Sequence, residues 1–191
     1  MKKQEKQFTH LGKGETEILD IFPTRITIHP VDVDQIKIVT GELKETFESG
    51  IKTSTASNNL FTLDTIKYLN NEIKHCLNQI LAVYQIQNYT FSVADIWLNA
   101  YEKNDYQGAH IHPSDFSFII YYDVDHSHTV FNSPSKLFIE ATDNRNFGKH
   151  FEPNCKKGDM LIFPSYLEHW VRPNSNQKTI AGNIKIIKLN A

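Results

Sequence analysis

The chain has 191 residues, 40% of them hydrophobic, with 20 Lys and Arg against 22 Asp and Glu, for a net charge of -2. That length suits a single domain, residues 1–191, with a real core, and the charge balance excludes a bulk polyanion-binding surface of the nucleic-acid type. No apolar span long enough for a membrane helix is visible, and the start, MKKQEKQFTHLGKGE, is charged without the apolar core of a signal peptide.

In chain order, IFPTRITIHP (21–30) alternates and ends in proline, which predicts a short strand. Ile36, Val39, Leu43 and Phe47 then recur at helical spacing after two candidate caps, Asp32 and Asp34, with Gly50 as the stop. IKTSTASNNLFT (51–62) is polar and turn-rich, a loop. Ile66, Leu69, Ile73, Leu77, Ile80 and Tyr84 predict a second helix with Asp64 as its N-cap.

From Tyr89 the period becomes two. Tyr89, Phe91, Val93, Asp95, Trp97, Asn99 and Tyr101 fall on one face of a long strand. Further strands are expected at 116–124, 136–141, 159–164, 168–171 and 179–189, separated by DHSH, NSPS, DNRNFG, NCKKGD and PNSN. The pattern has no βαβ alternation. It predicts a mainly β fold with flanking helices, a double-stranded β-helix (jelly roll, cupin-like) in 89–191, with 1–88 adding a strand and a helical layer.

The two cysteines, Cys76 and Cys155, are too few for a disulfide framework and are read as reduced thiols in a cytoplasmic protein. His110 and His112 flank Ile111 in GAHIHPSD. On extended backbone, residues two apart face the same way, so both imidazoles can reach one metal ion. The pair can equally sit at a strand mouth without a metal. His126 and His128 repeat the spacing in a polar loop and are read as solvated. His169, in GDMLIFPSYLEHWVRPN, is a third, distant imidazole that a jelly roll would bring back beside the first two, giving a facial set with open positions. In the last strand Gln177, Thr179, Ala181 and Asn183 share a small, polar face, suited to a pocket wall or to a solvated edge. Trp97, Phe118, Tyr122 and Trp170 are candidate pocket-lining aromatics, or core.

Together the IFPT phrase at 21–24, Trp97-x-Asn99, Gly108, HIHP, FIIYY, GDMLIFPS, LEH and PN at 173–174 resemble the iron(II)- and 2-oxoglutarate-dependent oxygenases, in particular a subgroup from phages and marine bacteria. The resemblance implies iron(II) on His110, His112 and His169, with histidine where the superfamily usually has a carboxylate. It implies 2-oxoglutarate and O2 as co-substrates, held near Asn99, Tyr101, Gln177, Lys178, Thr179 and Asn183, and hydroxylation of an unnamed substrate with release of succinate and CO2. The arginine expected to grip the far carboxylate falls at Gln177, with Lys178 beside it; the chain's arginines are Arg25, Arg145 and Arg172. A cupin-like three-histidine metalloenzyme without 2-oxoglutarate, and a non-catalytic jelly-roll binding module, stay open. So does assembly, a homodimer included. The implied location is the cytoplasm, that of the host if the chain is phage-encoded.

Overall fold

The computed structural model describes residues 24–39, 43–45, 50–54, 60–141, 148–174 and 176–189. The charged leader, residues 21–23 of the IFPT phrase, Phe47 and Arg145 lie outside them.

The described elements are β1 (Thr27–Pro30), a 3-10 turn (Val33–Gln35), β2 (Lys44–Glu45), β3 (Lys52–Thr53) and α1 (Leu63–Val83). They continue with β4 (Tyr89–Tyr101), β5 (Asp105–His110), β6 (Phe116–Asp123), β7 (Thr129–Asn132) and α2 (Lys136–Ala141). The last are β8 (His150–Phe151), β9 (Asp159–Pro164), β10 (His169–Asn174) and β11 (Gln177–Lys188). The strands form a seven-stranded sheet, in the order β1-β9-β6-β11-β4-β3-β2, and a four-stranded sheet, in the order β5-β10-β7-β8. All pairings are antiparallel. This is the jelly roll that the strand pattern predicts.

Helix α1 forms where its apolar period lies. Leu69, Ile73, Cys76, Leu77, Ile80 and Leu81 are buried on one stripe, against Phe116, Phe118, Ile120, Ile180 and Ile184 of the large sheet. Each such side chain, fully buried, stabilises the fold by roughly 1.5–3 kcal/mol. The N-cap is Thr62, whose hydroxyl accepts from the Thr65 N–H at 3.2 Å, and not Asp64, which lies in the first turn. A second apolar cluster fills the space between the sheets: Ile119, Tyr121, Leu161, Phe163 and Ala181 from the large one, Phe131 from the small one.

Three further expectations fail. The helix expected from Ile36, Val39 and Leu43 is absent over the described residues. Asp32 caps only the single 3-10 turn, Ile38 bridges to Phe61, and Lys44–Glu45 is strand. The β-branched run Ile36-Lys37-Ile38-Val39 gains more from extended pairing than from a helix. Gly50 has φ 83°, and an added Cβ there would lie 2.7 Å from the Asp105 carboxylate. Lys136–Ala141 is helix, not strand, started by the turn in which Lys136 N–H donates to the Ser133 carbonyl.

The third failure moves the site. β4 does not keep one face. Asn183 pairs with Asp95 but Ile184 pairs with Val93, so Ala94 is a bulge. Tyr89, Phe91 and Val93 therefore pack toward α1, as do Ile96 and Leu98 after the switch. Trp97, Asn99 and Tyr101 turn to the inter-sheet cavity.

Candidate metal centre

His110 is the last residue of β5 and His169 the first of β10, and the antiparallel register sets them directly opposite each other. His112 lies just past the strand end, where its backbone N–H donates to the Ser165 carbonyl at 3.0 Å. One ligand atom from each of the three imidazoles lies within 4.8 Å of the others, and among the described residues this is the group of that kind. The ring centroids are 5.0 Å apart for His110–His112, 4.3 Å for His110–His169 and 5.2 Å for His112–His169.

The surroundings prepare the rings as ligands. Nδ1 of His110 meets the Gly108 carbonyl at 2.8 Å, and Nδ1 of His169 meets the Leu167 carbonyl at 3.0 Å. A carbonyl only accepts, so each Nδ1 carries the proton and each Nε2 keeps its lone pair free for an ion. Burial holds all three rings below the ordinary imidazole value. His169, packed on Phe163 and Phe131, is pushed down to about 3 by burial and by its two histidine neighbours. His112 falls to about 4 through burial and His110. His110 is lowered too, burial being the main cause. Near neutral pH no proton has to leave before a metal binds.

Neither nearby carboxylate joins them. Asp115 accepts from the Ile186 N–H at 2.8 Å, and Glu168 accepts from the Asn132 side-chain amide. The candidate ligand set is three neutral imidazoles, a chemistry that suits iron, and also zinc or copper.

The histidines stand at one end of a cavity between the sheets. Asn99 and Thr179 line it side by side, Nδ2 to Oγ1 3.5 Å. Tyr101 is buried there, its hydroxyl donating to Gln107 at 3.5 Å, and burial raises its phenol. Gln177 lines it, its amide donating to the His126 carbonyl at 3.4 Å. Trp97 lines it, with its ring 5.8 Å from His112.

Other expected residues fall elsewhere. Lys178 is exposed, on the opposite face of β11 from Gln177 and Thr179, as strand parity requires. Asn183 is buried but does not line the cavity: it accepts from Ser117 at 3.0 Å and donates to Asp95 at 3.4 Å. Phe118 belongs mainly to the core under α1 and reaches the cavity beneath Gly182, where an added Cβ would lie 2.4 Å from its ring. Tyr122 packs on the α1 side. Trp170 lies outside the cavity, next to Arg172, which pairs with Glu152. Among the residues missed are Tyr121, Gln107, Thr129 and His128. Parity with Ser117 and Ile119 points to Tyr121; for His128 the only signal is its His-x-His spacing. No Lys, Arg, Asp or Glu is among the residues described as lining the cavity.

Residues 95–181 match a family model described as "Putative 2OG-Fe(II) oxygenase". A search of curated proteins finds no match. Among solved structures, an oxidoreductase of the 2OG-Fe(II) oxygenase family from Burkholderia pseudomallei has TM-score 0.52 at 11% identity, over 75% of this chain and 72% of that one. HygX from Streptomyces hygroscopicus, with nickel, 2-oxoglutarate and hygromycin B bound, has TM-score 0.52 at 12% identity, over 85% and 82%. A Pseudomonas putida prolyl-4-hydroxylase has TM-score 0.50 at 13% identity, over 86% and 92%. At such identities the likeness is one of fold. The chain has the jelly-roll fold of these 2OG-Fe(II) oxygenases, and the stretch similar to the family model is the one that carries all three histidines.

Proposed function

We propose that this protein is an iron(II)- and 2-oxoglutarate-dependent oxygenase, acting as one domain, that hydroxylates an organic substrate. One observation carries the reading: three neutral imidazoles converge within 4.8 Å beside a cavity between two sheets that Asn99, Tyr101, Gln177 and Thr179 also line. Bound iron(II) would supply oxygen activation, with 2-oxoglutarate as the reductant. The balance is R–H, O2 and 2-oxoglutarate in, R–OH, succinate and CO2 out.

The chain's own residues do the rest. His110 and His169 would hold the ion through Nε2, and His112 through a ring nitrogen, with co-substrate and oxygen completing the set. Asn99, Thr179 and Tyr101 offer neutral hydrogen bonds to an oxoacid lying along the cavity. Trp97, its ring beside that of His112, would stand near the ion. The family-model match over 95–181 supports this, as does the bound 2-oxoglutarate of HygX, whose fold is shared. Placement in the phage and marine-bacterial subgroup rests on the HIHP and GDMLIFPS phrases. A cytoplasmic location rests on the two buried thiols, Cys76 and Cys155, which burial pushes up to about 11 and about 12. No described helix is long and apolar enough to cross a membrane.

The test is succinate formation. Iron(II), 2-oxoglutarate and oxygen together should yield succinate, slowly even without the primary substrate, and His110→Ala or His169→Ala should abolish it. That no described lysine or arginine lines the cavity favours a second reading, a three-histidine metalloenzyme that does not use 2-oxoglutarate. Metal binding without any succinate selects it.

A further inference from the structure

If 2-oxoglutarate is the co-substrate, as proposed above, one carboxylate goes to the metal and the other is buried in the cavity. A buried carboxylate without a charge partner is costly. The titratable groups lining the cavity are few. His110, His112 and His169 converge on the metal position. Tyr101 and Tyr121 are phenols, already donating to Gln107 and to Thr129. The remaining one is His128, of the second His-x-His.

His128 is well placed. With Gln177 it lines both the inner cavity and an outer pocket that also contains Lys103, Asp125 and His126, so these two side chains form the partition between them. Its backbone is held: its carbonyl accepts from the Arg172 N–H at 3.0 Å, and Thr129 after it pairs with Val171. Its ring lies 4.4 Å from that of His126. The Gln177 amide, in the expected arginine slot, donates to the His126 carbonyl and so ties this loop to β11.

We propose that His128 is the anchor for the far carboxylate of the 2-oxoacid, with Gln177 positioning its loop. The facing groups decide the charge. His126 from its own loop, Arg172 from β10 and Lys103 from the turn after β4 disfavour an imidazolium; Asp125 favours it. Burial, His126 and Arg172 hold the free ring below the ordinary imidazole value. The far carboxylate must then bind together with a proton. Affinity for the dicarboxylate should fall as pH rises, by up to about tenfold per unit.

The test is calorimetric binding of 2-oxoglutarate and of 2-oxopentanoate, the same chain length without the far carboxylate, to manganese(II)-loaded protein without oxygen. Runs in buffers of different ionisation enthalpy count protons. The expected result is a preference of about tenfold or more for 2-oxoglutarate, with about one more proton taken up than for 2-oxopentanoate. His128→Ala should remove both the preference and the extra proton while manganese affinity stays unchanged. Gln177→Arg in that background should restore the preference without the proton, which excludes misfolding as the cause. An unchanged preference in His128→Ala overturns the proposal and leaves the oxygenase reading standing. Equal affinity for the two acids in the wild type does the same. If neither acid binds to the metal-loaded protein, both readings fall.

Discussion

The metal-free protein should lose stability steeply in mild acid, because its site histidines are held neutral. His169 is 3% exposed and pushed down to about 3, against about 6.5 in the unfolded chain. Between these values the unfolded chain binds the extra proton. The stabilising contribution is therefore complete above about pH 6.5 and is lost as pH falls toward the folded value. At about pH 5 His169 alone costs about 2 kcal/mol. His112, lowered to about 4 but partly open to solvent, adds about 1 kcal/mol after screening. A loss of roughly 3 kcal/mol is a large share of a typical 5–15 kcal/mol. Urea unfolding of metal-free protein from about pH 8 to about pH 5 measures it, with His169→Gln as comparator. The variant should lose about 2 kcal/mol less over the same range. Parallel stability curves for the two proteins would refute the reasoning.

Three further outcomes are expected. Gly182→Ala drives a Cβ to 2.4 Å from Phe118 and 2.6 Å from the Asp95 carbonyl, and should destabilise by about 1–3 kcal/mol in thermal or urea unfolding; a change near zero would mean that the two strands and Phe118 yield freely. Tyr121→Phe should weaken co-substrate binding, since Tyr121 lines the cavity, whereas Tyr122→Phe on the α1 side should leave it unaltered; the reverse order in a binding titration would contradict the strand parity. Thr62→Ala removes the cap of α1 and should cost about 1 kcal/mol, read by urea unfolding, while Asp64→Ala should cost less.

The legibility of the sequence varied with the physics of each segment. α1 was readable because its periodic run meets a single buried face, and β6, β9 and β11 because apolar runs buried on both faces stand between clear turns. The convergence of the three histidines was readable because one spacing rule and one returning strand suffice to bring them together. The bulge at Ala94 was not: an extra residue in a ladder leaves no mark on the alternation around it, yet it reverses which side chains of β4 reach the cavity. The segment from Ile36 to Val39 misled because its apolar spacing fits a helix while its β-branched composition and its bridge to Phe61 favour extended backbone. His128 was misread because its loop is polar, although β10 brings that loop to the cavity wall. Lys178, expected among the co-substrate contacts, faces away from the cavity because of strand parity.

The most direct test of the central claim is an anaerobic titration of metal-free protein with iron(II), followed by 2-oxoglutarate, in wild type and in His112→Ala. The account predicts one iron per chain, 2-oxoglutarate binding only once iron is bound, and loss of both in the variant. Iron binding that is indifferent to His112, or 2-oxoglutarate binding without iron, would contradict it.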